Sequence, residues 1–166
     1  MSTAIYPGSF DPVTLGHLNI IKRASQCFDK LIVCVMINSN KKGMFTPAER
    51  VELLRRATER FPNVEVDFSD ELLAAYAKRR KAHVVVKGLR AVSDFEQEVQ
   101  MAVINRKLNP RLETMFLASS EKYTFLSSSI VKELARYGAD LAEFIPREIV
   151  EDVNERMKLL LEGKGD

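Results

Sequence analysis

The sequence predicts an α/β fold in which a parallel sheet carries helices on both faces. Short apolar runs alternate with amphipathic stretches along the 166 residues, and this alternation is typical of repeated strand–helix units. Residues 31–37 are apolar throughout, as expected for a strand that is buried on both faces. Because no linker, repeat or low-complexity tract interrupts the pattern, residues 1–166 are expected to form a single domain.

Five strands are predicted from the short apolar runs. They are expected at residues 4–6, 31–37, 64–68, 84–86 and 113–117. Helices are expected where amphipathic stretches follow the strands. Their expected positions are residues 16–26, from 46 onward, 72–80, 93–107, 129–137 and 146–161. Residues 162–166 are expected to form a flexible tail.

Local signals mark two of the helix starts. Thr46 and Glu49 have the spacing of a capping box, and Pro47 suits the first helical position. Ser93 and Glu96 have the same spacing, so a second capping box is expected there.

An apolar stripe is predicted on the helix that follows the fourth strand. Phe95, Val99 and Val103 have helical spacing, and this stripe is expected to pack in the core rather than contact a cofactor. Gly138 is expected to end the next helix in a left-handed conformation.

The overall composition excludes several classes of protein. Lys and Arg total 25 and Asp and Glu total 23, a net charge of +2, which does not suggest a general nucleic-acid binder. No apolar segment approaches the ~20 residues that span a membrane. The N-terminus lacks the basic start and apolar core of a secretory signal, so a cytoplasmic protein with two reduced cysteines is expected.

Ligands of parallel α/β sheets bind beyond the carboxyl ends of the strands, and the first such segment is YPGSFDPVTLGH, residues 6–17. Its last four residues match the [HT]-x-G-H signature of nucleotidyltransferases, placed between a strand and a helix. A helix N-terminus disfavours a cation, but a neutral His17 can still donate one N–H to a phosphate oxygen. The alternative is a polar residue at an exposed helix start.

Two adjacent lysines follow the second strand. Lys41 and Lys42 lie in a polar loop beyond residues 31–37. For Lys41 we favour phosphate binding over a solvated loop because of its position at the end of the sheet. For Lys42 we favour the solvated loop.

Charged residues follow the fourth strand. Lys87 would be costly to bury without a partner, so an anionic ligand is its expected partner. Arg90 offers a planar fork that suits phosphate oxygens, although an ion pair with Asp94 or Glu96 is the alternative. Glu98 is one step off the apolar stripe and is expected to face the site.

The fourth segment, residues 119–129, ends in a serine run that enters a helix. Ser127, Ser128 and Ser129 offer a helix cap and several hydroxyl and amide donors. Simple capping by one serine is the alternative, but three serines exceed what a cap needs.

Together the four segments closely resemble bacterial phosphopantetheine adenylyltransferases. The resemblance covers roughly residues 4–160 and depends on the motifs YPGSFDPVTLGH, the Lys41 loop with MFTPAER, VKGLRAVSDFEQE and YTFLSSS. It implies a Rossmann-like, doubly wound sheet of five parallel strands.

The resemblance also implies a reaction, in which ATP and 4′-phosphopantetheine give 3′-dephospho-coenzyme A and pyrophosphate. This is the penultimate step of coenzyme A biosynthesis. Mg²⁺ would be bound mainly through the ATP phosphates. A homohexamer and feedback by coenzyme A are implied as well, with neither a nucleic-acid nor a membrane partner.

Site residues carry over from the resemblance position by position. His17 would stabilise the transition state, together with Lys41 and Arg90. The residues that would contact ATP are Ser9, Phe10, His17, Gly88, Leu89, Arg90, Glu98, Tyr123, Thr124, Phe125, Leu126, Ser127, Ser128 and Ser129. The residues that would hold the acceptor are Ser9, Lys41, Leu73 and Lys87. No protein ligand to a metal ion is expected.

Three positions depart from many members of the family. Ser9 replaces Thr and keeps the hydroxyl, and Tyr123 replaces Trp and keeps an aromatic ring. Lys87 replaces Arg, which keeps the charge but loses the two-pronged fork.

Two alternative functions remain open. One is adenylyl transfer to nicotinate or nicotinamide mononucleotide, and the other is a non-catalytic adenine-nucleotide sensor. No paired carboxylates and no Ser/His/Asp arrangement are apparent. This fits a reaction whose nucleophile is already an anionic phosphate, so that catalysis depends on positioning and charge stabilisation.

Overall fold

The computed structural model describes residues 1–163, and the side chains of all of these except residues 92 and 93. The strands are β1 (Thr3–Gly8), β2 (Lys30–Met36), β3 (Val64–Ser69), β4 (Val84–Leu89) and β5 (Glu113–Ala118). The α-helices are α1 (Leu15–Ser25), α2 (Pro47–Thr58), α3 (Leu73–Arg79), α4 (Val92–Leu108), α5 (Ser128–Arg136) and α6 (Val150–Glu162). Short 3₁₀ turns at Glu121–Tyr123 and Arg147–Ile149 precede α5 and α6.

The described strands form one five-stranded sheet in the order β3-β2-β1-β4-β5. Every neighbouring pair is parallel, which confirms the predicted α/β fold. The chain winds outward from β1 to β3 and then returns to place β4 on the other side of β1. Beyond the carboxyl ends of β1 and β4 the connections diverge, and a crevice forms there.

The two faces of the sheet bury separate cores because side chains alternate along each strand. Ala4 and Tyr6 pack in the core beneath α1, α2, α5 and α6. Ile5, between them, packs in the core beneath α3. Tyr76 of α3 is fully buried there, and its hydroxyl donates a hydrogen bond to Asp67 at 2.7 Å.

One predicted capping box is confirmed and the other is wrong. Thr46 accepts from the backbone N–H of Glu49 at 3.2 Å, and the Glu49 carboxylate accepts from the Thr46 N–H at 2.7 Å. The helix expected to start with a cap at Ser93 instead begins at Val92, after Ala91. Sequence signals mark a helix start only to within a residue or two, because helix ends fray.

The apolar stripe on α4 is not part of the core. Phe95 is 50% exposed and Val103 is 62% exposed, so the expectation that they pack inside is wrong, although Val99 is partly buried. Helical spacing shows which residues share a face but not whether another element covers that face. Here α4 lies beside the edge strand β5. Further exposed apolar residues of this region are Met101, Ile104, Leu108 and Met115.

The remaining boundaries differ slightly from expectation. Strand β4 continues to Leu89, so Lys87 lies within the strand rather than after it. Helix α6 reaches Glu162, and residues 164–166 of the expected flexible tail lie outside the described residues. Both cysteines are free thiols. Within residues 1–163, none of the helices has the length and apolar character needed to cross a membrane.

Candidate active site

A cavity of about 340 Å³ opens at the carboxyl ends of β1 and β4. Three of the four segments predicted from the sequence contribute to its wall. The lining residues are Tyr6, Pro7, Gly8, Ser9, Phe10, Thr14, Gly16, His17, Ile20, Lys87, Gly88, Arg90, Glu98, Ser119, Tyr123, Leu126, Ser127, Ser128 and Ser129.

His17 takes part in the cap of α1. The side chain of Thr14 accepts from the His17 backbone N–H at 3.2 Å, and the Thr14 backbone N–H donates to Nδ1 of His17 at 3.0 Å. This is a capping box with an imidazole where a carboxylate or amide usually stands. Because Nδ1 accepts a hydrogen bond, the proton of the neutral ring is on Nε2.

The surroundings of His17 keep its ring neutral. The pKa of His17 is lowered to about 4, mainly because the buried ring loses contact with water and also because of the positive charges of Arg90 and Lys87. A neutral ring with its proton on Nε2 is the donor that the sequence predicted for a phosphate oxygen.

The ring of Phe10 packs against the imidazole of His17. Phe10 has a left-handed backbone, with φ of 47°, a conformation that is uncommon for residues other than glycine. Its buried ring makes edge-on contacts with Tyr6, at 5.3 Å between centroids, and with His17, at 5.0 Å. A Cβ atom on Gly8 would lie 3.0 Å from the Phe10 ring, so a glycine allows this ring to sit under the site.

Lys87 and Glu98 stand where two cavities meet. The Lys87 ammonium lies 3.5 Å from a Glu98 carboxylate oxygen, so Lys87 has a partner within the protein that the sequence did not predict, and the anionic ligand expected for it stays a prediction. The alternation of strand and helix could not reveal this pair, because it joins β4 to α4. Both residues line the first cavity and also a second one of about 310 Å³. The second cavity is lined by Leu73, Val85, Lys87, Gln97, Glu98, Met101, Ala102, Asn105 and Thr114.

Arg90 makes the expected alternative contact and still faces the cavity. Its Nε lies 3.4 Å from the Asp94 carboxylate, and its Nη1 donates to the carbonyl of Leu126 at 3.0 Å. These contacts hold the guanidinium between β4 and the segment before α5, with one edge toward the cavity.

Two serines of the run are structural and all three face the cavity. The Ser127 side chain accepts from the Ile130 backbone N–H at 3.2 Å and so caps α5. The Ser128 hydroxyl donates to the carbonyl of Pro12 at 2.8 Å. The run therefore fixes the start of α5 against the loop that contains Ser9.

Comparisons with known proteins agree with this geometry. Residues 5–134 match the family model described as cytidylyltransferase-like. A phosphopantetheine adenylyltransferase of Caldanaerobacter subterraneus subsp. tengcongensis is 56% identical over 158 residues, which is 95% of this chain and 99% of that protein. The chain belongs to the phosphopantetheine adenylyltransferase family.

Other similar proteins extend the comparison. A phosphopantetheine adenylyltransferase of Clostridium botulinum strain Hall is 50% identical over 157 residues, with coverage of 95% of this chain and 96% of that protein. A solved structure from Vibrio parahaemolyticus, assigned as a nicotinate-nucleotide adenylyltransferase, is 19% identical with a TM-score of 0.70 and 95% coverage of both chains. At this identity it supports the fold alone.

The structure does not bring every residue expected from the phosphopantetheine adenylyltransferase family to the first cavity. Leu73 lines the second cavity. Lys41 is exposed on the loop between β2 and α2, outside the lining of both. Leu89, Thr124 and Phe125 also lie outside the first cavity.

Several cavity residues were missed by sequence reasoning. The [HT]-x-G-H signature includes Thr14 but gives it no role, although its backbone N–H orients the imidazole. Burial raises the pKa of Tyr6 well above its usual range, so its hydroxyl stays protonated at the cavity wall. Ile20 follows His17 by one helical turn, and that spacing was the signal that places it on the same face. No comparable signal singled out Ser119.

The described residues include no group of three or more His, Cys, Asp or Glu side chains that could hold a metal ion. Glu98 is the single carboxylate among the lining residues of the first cavity, and it faces Lys87.

Proposed function

We propose that the chain transfers the adenylyl group of ATP to 4′-phosphopantetheine, giving 3′-dephospho-coenzyme A and pyrophosphate. This reaction is the penultimate step of coenzyme A biosynthesis. The observation that carries the proposal is the meeting of two cavities at Lys87 and Glu98. The names of relatives that are 50% and 56% identical support the same substrate.

The first cavity suits ATP. It combines the N-terminus of α1 with the N-terminus of α5, and helix N-termini favour phosphate. His17 donates from Nε2, and Arg90 adds a fixed positive charge beside it. Tyr123 and Leu126 provide an aromatic and an apolar surface on the same wall.

The second cavity suits a long, flexible arm that carries amide groups. Leu73, Met101 and Ala102 give it apolar walls, and Asn105 and Thr114 add polar groups. The ammonium group of Lys87 lies at the junction of the second cavity with the first, where the phosphate of the acceptor must meet ATP.

The chemistry then needs no general base. An oxygen of the acceptor phosphate attacks the α-phosphorus of ATP, and the bond from that phosphorus to the β-phosphate oxygen breaks. Pyrophosphate leaves with that electron pair. The Nε2–H of His17 and the guanidinium of Arg90 stabilise the charge that develops around the α-phosphorus.

Mg²⁺ fits the site as an ion held mainly by ATP. It usually keeps several water ligands and is bound directly by substrate phosphates together with one or two protein carboxylates at most. The lining of the first cavity offers cations and hydroxyls with one paired carboxylate. When bound, the ion would neutralise charge on the leaving pyrophosphate.

The assay is pyrophosphate release with ATP, Mg²⁺ and one candidate acceptor at a time. We expect turnover with 4′-phosphopantetheine to be far faster than with nicotinate or nicotinamide mononucleotide. Pantetheine without its phosphate lacks the nucleophile and should fail. Turnover with a mononucleotide but none with phosphopantetheine would favour the alternative function, adenylyl transfer to nicotinate or nicotinamide mononucleotide. ATP binding without pyrophosphate release for any acceptor would favour the nucleotide sensor.

Three further properties belong to the proposal. The exposed apolar residues of α4 and β5 support assembly of several copies, for which we propose a homohexamer. Coenzyme A contains the adenylyl part and the phosphopantetheine part of the product. It would therefore compete with ATP in the first cavity and with the acceptor in the second, as a feedback ligand. We place the protein in the cytoplasm, where both substrates are available.

A further inference from the structure

The loop that carries Lys41 ends in a dipeptide whose backbone is bound entirely by side chains of other elements. The backbone N–H groups of Met44 and Phe45 both donate to the Asp11 carboxylate at 2.8 Å. The Phe45 carbonyl accepts from Nε of Arg50 at 2.9 Å, and the Met44 carbonyl accepts from Arg156 at 2.9 Å. The end of the loop is therefore fixed in place.

The carboxylate at the centre of these contacts is buried and fully satisfied. Asp11 is 4% exposed. Besides the two backbone donors, it contacts Lys132 at 3.1 Å and Nε of Arg50 at 3.4 Å. A buried charge requires partners of this kind, because an unpaired one would be expelled or neutralised. This cluster joins the β1–α1 loop to α2 and α5.

Gly43 fits against the same cluster without any spare room. A Cβ atom at this position would lie 1.8 Å from Nη2 of Arg50 and 2.7 Å from a carboxylate oxygen of Asp11. Both distances are far inside van der Waals contact, so any side chain would push the guanidinium away.

Arg50 also contacts a residue that lines the first cavity. Its Nη1 lies 3.5 Å from the carbonyl oxygen of Ser9, at the long end of hydrogen-bonding range. Ser9 lines the first cavity. One buried guanidinium, 8% exposed, therefore touches both the Ser9 loop and the end of the Lys41 loop.

We propose that Arg50 is a positioning residue for the phosphate of the acceptor. It holds two loops in a fixed relation, one with Ser9 and the other with Lys41, so that both side chains approach the same phosphate. The inference rests on the proposed function, in which these two residues serve the acceptor. Lys41 lies two residues before Gly43, so a fixed loop end limits the range that its ammonium samples.

The test compares Arg50→Lys with wild type. Lysine keeps the positive charge beside Asp11 but cannot reach the carbonyls of Phe45 and Ser9 together. Because small displacements of positioned groups cost up to ~10²-fold in rate, we expect kcat/KM for phosphopantetheine to fall by roughly 10- to 100-fold. The Kd for ATP, measured by calorimetry, should stay close to the wild-type value.

A matched control lies on the same helix. Arg56 of α2 pairs with Asp152 at 2.6 Å, outside both cavities. Arg56→Lys should leave both constants unchanged.

Gly43→Ala provides an independent route to the same effect. Its methyl group displaces the guanidinium without changing any charge, so this variant should also raise the KM of the acceptor or lower kcat. Because both changes act through one contact, the double variant with Arg50→Lys should lose less than the two single losses combined.

The outcomes separate the inference from the function it rests on. The positioning role would be overturned if Arg50→Lys and Gly43→Ala both kept the kcat of wild type and its KM for the acceptor. Equal losses for ATP and acceptor, accompanied by a lower melting temperature, would also overturn it, since they indicate a purely structural residue. Failure of wild type to use phosphopantetheine would overturn the proposed function and this inference with it.

Discussion

The backbone N–H of Thr14 donates to Nδ1 of His17 across 3.0 Å, and this contact decides which imidazole nitrogen carries the proton. It leaves the Nε2–H free for a ligand in the cavity. The same contact closes the first turn of α1, so one hydrogen bond both caps the helix and orients the donor that we propose for catalysis.

Removal of this donor should affect turnover far more than binding. Loss of one preorganised donor to a developing charge typically costs ~10²–10³ in rate, or about 3–4 kcal/mol. His17→Ala should therefore lower kcat by that order while the Kd for ATP changes much less. His83, the other of the two histidines, lies outside both cavities, and His83→Ala is the control. Near-normal turnover of the His17 variant would contradict the role.

The pKa of His17 predicts a pH dependence of stability. The folded-state value of about 4 lies below the ordinary value of 6.5. Between these values the unfolded chain binds a proton that the folded chain does not, so stability is lost as pH falls from about 6.5 toward 4. Urea midpoints of wild type should therefore drop more steeply than those of His17→Gln between pH 7 and pH 5. Parallel curves would show that His17 titrates normally.

Removing the positive charge of Lys87 should weaken binding of the acceptor more than binding of ATP. Lys87→Met removes a cation and leaves the carboxylate facing anionic ligands. A charge-assisted contact is worth about 1.5–3 kcal/mol, so the acceptor KM should rise by roughly 10- to 100-fold. Lys87→Arg should keep most of the activity, and adding Glu98→Gln to Lys87→Met should recover part of the loss. Lys22→Met, at an exposed position of α1, is the control.

Lys41 and its neighbour offer a matched comparison. Lys41→Ala should raise the KM of the acceptor, lower kcat, or both, with little change in ATP affinity, because the proposed function assigns this ammonium to the acceptor phosphate. Lys42→Ala should behave as wild type. Separate titrations of ATP and acceptor provide the measurement, and loss of ATP binding with intact acceptor binding would show that the two phosphate sites were assigned the wrong way round.

The exposed face of α4 predicts how copies associate. A glutamate in place of Phe95 or Val103 would place charge within an apolar contact, so each variant should dissociate toward the 18.8 kDa monomer. Light scattering at several concentrations measures this. Tyr137, which is exposed on a different part of the surface, provides the control substitution Tyr137→Glu. A wild-type monomer at working concentrations would contradict the assembly.

Local patterns in the sequence were enough to predict the five-stranded sheet and the position of His17 in the candidate site. The five apolar runs became the five parallel strands, because alternation of strand and helix leaves few topologies open. The position of His17 was predictable for the same reason. Its function depends on Thr14, which lies three residues away in the same helical turn.

Contacts between distant elements could be found only in the folded chain. Glu98 faces Lys87 because α4 packs against β4, and Arg90 reaches the Leu126 carbonyl because the segment before α5 lies beside the end of β4. Neither contact has a signal in the spacing of residues along the chain.

The sequence by itself determined the strands, the position of His17 at the start of a helix and the family, since each depends on short motifs or on local periodicity. Only the tertiary structure decided the partner of Lys87, the cluster around Asp11 and the exposure of the α4 face. The physical reason is that burial and ion pairing depend on which surfaces meet. A helical stripe such as that of Phe95 and Val103 is equally apolar whether or not another element covers it.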